Sequence, residues 1–177
     1  TIDGHEYLLR GNCELLTSPD GQPEIFEMIF SKGTKAKYKF ATYLKMLLRT
    51  LQNGPATARL LSINAPHTPV LLKLPEGCDA GECLARIVRC YLDALVRPQP
   101  LFPETSWKCS QQDEGTVPLP ELVKELRPYN LPPVDTTYYG EIDDALLQST
   151  CALARNLIPQ GVKILPDPKE SPKSAKK

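Results

Sequence analysis

The feature that most constrains the fold is a change of period between Glu24 and Asn53. Residues 24–31 alternate, with Phe26, Met28 and Phe30 on one side, as in a strand. The pattern breaks at Ser31-Lys32-Gly33-Thr34 and resumes with the period of a helix, in which Phe40, Tyr43, Leu44, Leu47, Leu48 and Leu51 make an apolar stripe. Thr34 is the expected N-cap. Asn53-Gly54-Pro55 stops the helix, because Gly accepts positive φ and Pro cannot continue the ladder. A strand that turns into a long amphipathic helix must bury one face of each against the other.

Upstream, His5–Leu16 alternates and reads as a first strand, closed by a Ser18-Pro19-Asp20-Gly21 hairpin turn. Downstream the plan recurs. Ala58–Asn64 and Val70–Leu74 read as two short strands, and Asp79 with Glu82 has the spacing of a capping box. The helix that follows carries a wide apolar face of Cys83, Leu84, Ile87, Val88, Tyr91, Leu92 and Leu95, and ends at Arg97-Pro98. The expected fold is α+β: a four-stranded antiparallel sheet built from two successive ββα units, with both helices packed on one face. A Pro-rich extended segment and a C-terminal helix complete it. We expect one domain over residues 1–165, with its core at 5–97, a wrapping segment at 98–140, a helix at 141–158 and a disordered basic tail at 166–177. Twelve of the 18 prolines lie after residue 97, which is why the second half reads as extended. Residues 98–118 show no sustained period and hold the only Trp, Trp107. A strand at 162–165 is a further expectation.

Charge is segregated although the net charge is zero. Residues 28–75 contain eight basic residues and no Asp or Glu, whereas residues 1–27 contain six acidic residues and one basic. The lysines interleave with Tyr38 and Phe40 around the strand–helix joint. Lys32, Gly33, Lys35, Lys37, Lys39, Lys45 and Arg49 are therefore candidate contacts for an acidic partner or a nucleic-acid backbone. A Gly at a strand-to-helix joint leaves backbone N–H groups facing an anion. The spacing is not that of a nucleotide P-loop. Like charges along one helix face repel, so an acidic group elsewhere in the chain or in a partner must relieve them.

Catalytic constellations are missing from the pattern. Neither His5 nor His67 stands in a recognisable nucleophile motif, and Cys78, Cys83 and Cys90 match no common zinc spacing. The six cysteines read as reduced thiols, and no apolar run reaches the length of a membrane span. No cofactor or metal is expected. The leading expectation is a non-catalytic protein–protein interaction domain, a subunit or scaffold of a larger cytoplasmic or nuclear assembly, with other protein subunits as partners. Leu101, Phe102 and Trp107 are the candidate interface residues. The alternative is a nucleic-acid or phosphate-binding domain working through residues 32–49.

Overall fold

A computed structural model describes residues 2–12, 15–17, 21, 23–30, 35–63, 65–111, 139, 143–159 and 162. The Lys32 and Gly33 positions, most of the expected wrapping segment 98–140 beyond residue 111, the 166–177 tail and the 163–165 part of the last expected strand lie outside these. Val162 is buried and lies outside any strand. The chain divides into two compact units: Arg10–Leu74 with Lys163–Lys177, and Thr1–Leu9 with Pro75–Val162.

The first unit is a sheet with one helix on it. Strands β1 (Leu15–Thr17), β2 (Pro23–Ile29), β3 (Thr57–Ser62) and β4 (Ala65–Lys73) lie in that order across the sheet, with helix α1 (Ala36–Asn53) between β2 and β3 in sequence. The α+β class and the four strands agree with the sequence reading, but the pairing is mixed. β1–β2 and β3–β4 are antiparallel hairpins, whereas β2 and β3 run parallel from Glu24↔Thr57 to Ile29↔Ser62. The cause is the connection. A helical crossover returns the chain to the end of the sheet where it started, so the next strand adds in parallel.

Alternation then sorts the side chains. Ile25, Ile29, Ala58, Leu60, Val70 and Leu72 are buried on one face, beneath α1. From α1 they meet Ala36, Thr42, Tyr43, Met46 and Leu47. The buried stripe is rotated from the expected one: Thr42 and Met46 are inside, and Leu51 is exposed. Lys35 rather than Thr34 occupies the N-cap and makes no side-chain cap bond. At the other end Gly54, at φ +86°, donates its N–H to the Thr50 carbonyl at 3.0 Å, the left-handed stop that the sequence requires. The expected first strand is shorter than its alternation suggested. Among the described residues only Leu15–Thr17 pairs with β2 on this side, and Tyr7, Leu8 and Leu9 are exposed.

Among the described residues the second unit contains helices α2 (Ala80–Val96), α3 (Pro103–Gln111) and α4 (Asp144–Leu157). Asp79 caps α2, its carboxylate accepting from the Gly81 N–H at 2.6 Å and the Glu82 N–H at 3.0 Å. Glu82 pairs with Arg86 one turn on instead of closing the box. Helix α1 packs on the sheet, and α2 belongs to the other unit. The wide apolar face of α2 is also corrected. Ala80, Cys83, Leu84 and Val88 are buried, but Tyr91, Leu95 and Val96 stand in solvent.

Helix α3 falls within the expected irregular stretch. Pro103 starts it, and its buried side chains are Thr105, Ser106, Trp107, Cys109 and Ser110, a mostly small and polar set that gives no apolar period. It packs against α4, where Asp143 caps the first turn through the Leu146 N–H at 2.8 Å. Phe102, Cys109, Leu147, Cys151 and Ala154 form the core between them, and Phe102 meets the Tyr139 ring edge-on at 5.7 Å. The reading of six reduced thiols is corrected here: Cys109 and Cys151, with Cα atoms 5.0 Å apart, form a disulfide. The two positions are 42 residues apart and come together only through the packing of α3 on α4.

Candidate interaction surface

The basic segment is built on α1, and its cations occupy different environments. Lys35 and Lys37 are exposed at the start of the helix, with Lys37 Nζ 4.8 Å from the centre of the Tyr38 ring. Lys39 is half-buried on the next turn. Lys45 reaches back to β2 and pairs with the Glu27 carboxylate. Arg49 donates to the Asn53 side-chain carbonyl one turn further on. The described candidates therefore share a helix without forming one uniform charged face.

Glu27 explains much of that. Strand alternation turns it toward α1, among Ile25, Ile29 and Leu60, where an isolated carboxylate would be costly. Lys45 meets one of its oxygens, and Thr42 Oγ1 lies 2.9 Å from the other. The Thr42 hydroxyl is also 2.8 Å from the Tyr38 carbonyl, so its single proton serves one acceptor at a time. Three residues earlier, Glu24 points to the opposite face and is buried there, with Arg59 Nε at 3.2 Å. Two of the eight cations of residues 28–75 are thus matched by the two carboxylates of the preceding strand. Their signal in the sequence is a Glu at positions 24 and 27 of an otherwise apolar strand, which the reading of the pattern did not use.

The second face of the sheet has a different character. Phe26, Leu61 and Leu71 are half-buried on it, Met28 is 50% exposed and Phe30, just past the end of β2, is 87% exposed. The Glu24–Arg59 pair sits among them, because Arg59 is the register partner of Phe26 and Leu71. The result is an apolar strip with an ion pair in its floor. Exposed aromatic and thioether side chains grouped on an ordered strand mark a contact surface more often than scattered apolar residues do.

The three residues expected at an interface lie elsewhere. Phe102 is 5% and Trp107 4% exposed, both within the helical unit, and Leu101 is half-buried. The aromatic pair is core because α3 forms and turns it inward, which the aperiodic sequence concealed. Among the described residues, no group of three or more His, Cys, Asp or Glu side chains is placed to hold a metal ion, and no helix is long and apolar enough to cross a membrane.

Residues 3–114 match the family model of the RecC C-terminal domain, well over half of the chain. The chain belongs to the RecC C-terminal domain family. That match includes the whole sheet, α1, α2 and α3, and stops short of α4. No curated protein matches the chain. Membership relates the chain to domains of DNA repair and recombination, and the RecC C-terminal domain is part of a subunit of a complex.

Proposed function

We propose that this RecC-type domain is a non-catalytic interaction module, which docks its subunit against another protein of a multi-subunit DNA-recombination assembly. The observation that carries the reading is the second face of the sheet, where Phe26, Met28, Phe30, Leu61 and Leu71 form an apolar strip on ordered strands. A face of this kind supplies the desolvated centre of an interface, and aromatic side chains dominate the binding energy of such centres. Family membership supports the assembly context. The Glu24–Arg59 pair would add selectivity, since a partner that covers it must satisfy the remaining carboxylate lone pairs.

A double variant, Met28→Ser with Phe30→Ser, tests the reading. Both side chains are exposed in the isolated chain, so its stability should change by no more than about 0.5 kcal/mol. Affinity for the neighbouring subunit should fall by about two orders of magnitude, measured by titration of the purified proteins. Unaltered affinity of the folded double variant would remove the sheet face from the interface.

A second reading concerns Lys35 and Lys37, the exposed cations at the start of α1. Contact with a nucleic-acid backbone through them predicts that Lys35→Glu/Lys37→Glu weakens DNA binding by about tenfold. The same change would reduce the slope of log affinity against log salt by about two. Binding with the same salt slope in the variant would exclude these two residues.

A further inference from the structure

Two thiols touch where the chain enters α2. Cys78 directly precedes the N-cap Asp79, and Cys83 lies in the first turn of the helix, with its N–H on the Asp79 carbonyl at 3.1 Å. The two Sγ atoms are 3.2 Å apart. A disulfide needs about 2.0 Å, so closure takes a movement of about 1 Å. The surrounding turn is well held. Gly77 adopts φ +75°, Cys78 donates its N–H to the Pro75 carbonyl at 3.2 Å, and Asp79 holds two N–H groups of the helix. The thiols differ in access: Cys83 is buried, and Cys78 is partly open to solvent.

We propose that Cys78 and Cys83 are a dithiol modification site, which reacts with small-molecule disulfides and closes to an intramolecular disulfide. The order of events follows from access. The Cys78 thiolate attacks one sulfur of the reagent RS–SR, forming a Cys78–S–SR mixed disulfide and expelling RS⁻. The Cys83 thiolate then attacks the Cys78 sulfur and expels the second RS⁻. The two thiol protons end on the two leaving groups, so two RSH are released, and two electrons pass from the protein to the reagent. Closure staples the residue before the N-cap to the first turn of α2 and fixes the start of that helix.

The environment sets the rate. Burial first, then the hydrogen bond and charge of Cys83, push the Cys78 thiol up to about 11; Asp79 adds to this and the nearby Arg86 opposes it. Little thiolate exists at neutral pH, so the first step should accelerate about tenfold per pH unit between about pH 7 and pH 10. Cys90, half-buried two turns further along α2 from Cys83, also has its thiol pushed up by burial, with Asp93 adding to it.

The experiment exposes the full 177-residue chain to oxidised glutathione at about pH 9, quenches with an alkylating agent, and maps linked peptides by mass spectrometry. The expected result is a Cys78–Cys83 cross-link with no retained glutathione, beside the existing Cys109–Cys151 link. In Cys83→Ser the second step is lost, and glutathione should remain on Cys78. The wild-type map decides the matter even if that variant folds poorly. Glutathione retained on Cys78 of the wild-type chain, a Cys78–Cys90 link, or reaction at Cys90 alone would overturn the proposal.

Discussion

Reduction of the Cys109–Cys151 bond is expected to destabilise the helical unit by about 4 kcal/mol, the largest single effect in the molecule. The reasoning starts from chain entropy. The bond joins positions 42 residues apart, and opening so long a loop returns much conformational freedom to the unfolded chain. It also joins α3 to α4 at the core cluster that contains Phe102, Leu147 and Ala154, so a helix of only nine residues owes its docking to it. Trp107 is the sole Trp, is buried on α3, and reports this unit directly. Urea unfolding followed by Trp fluorescence should show the midpoint falling sharply when reductant is added. Equal midpoints with and without reductant would show that the bond contributes nothing to stability.

In the sheet unit the largest effect is expected from Leu60→Ala, about 3 kcal/mol. Leu60 is fully buried on β3 under α1, between Glu27 of β2 and Val70 of β4, so truncating it removes buried apolar atoms and leaves a cavity. Leu61 faces the other way and is half-buried, so Leu61→Ala should cost only about 1 kcal/mol. The comparison is read from urea midpoints by far-UV circular dichroism, because Trp107 belongs to the other unit. Equal losses at 60 and 61 would mean that the two faces of the sheet are covered alike, and that the apolar strip proposed for docking is not open.

Local pattern carried a large part of this fold. The alternation around Phe26 and Met28, the period of α1, the Gly54 stop and the Asp79 cap are all events within a few residues of one another, where backbone geometry follows directly from side-chain type. The parallel joint between β2 and β3 was also present in the sequence, in the form of an 18-residue helix between two strands. It was misread because hairpin signals on either side suggested an antiparallel sheet throughout. Helix α3 was hidden for another reason: its inward side chains are Thr105, Ser106 and Ser110 as well as Trp107, and such a set makes no hydrophobic stripe. Cys109 with Cys151, Lys45 with Glu27 and Arg59 with Glu24 are pairings across long stretches of chain. No local spacing encodes them. The charge segregation announced that the cations of residues 28–75 need acidic neighbours, but only the strand register identifies Glu24 and Glu27 as two of these and shows that they serve opposite faces.

The outer strand β4 has a consequence for how the domain can be joined by another protein. It is a nine-residue sheet border, three times as long as β1 at the other side, and a border of that length invites a foreign strand to extend the sheet. Pro66 and Pro69 fall in its first half, and neither has a backbone N–H to donate. Backbone N–H groups alternate between the two sides of a regular strand, and positions 66 and 69 are of opposite parity, so a strand laid along that border would find one missing rung there. Proline on an outer strand is one of the devices by which natural sheets discourage growth sideways.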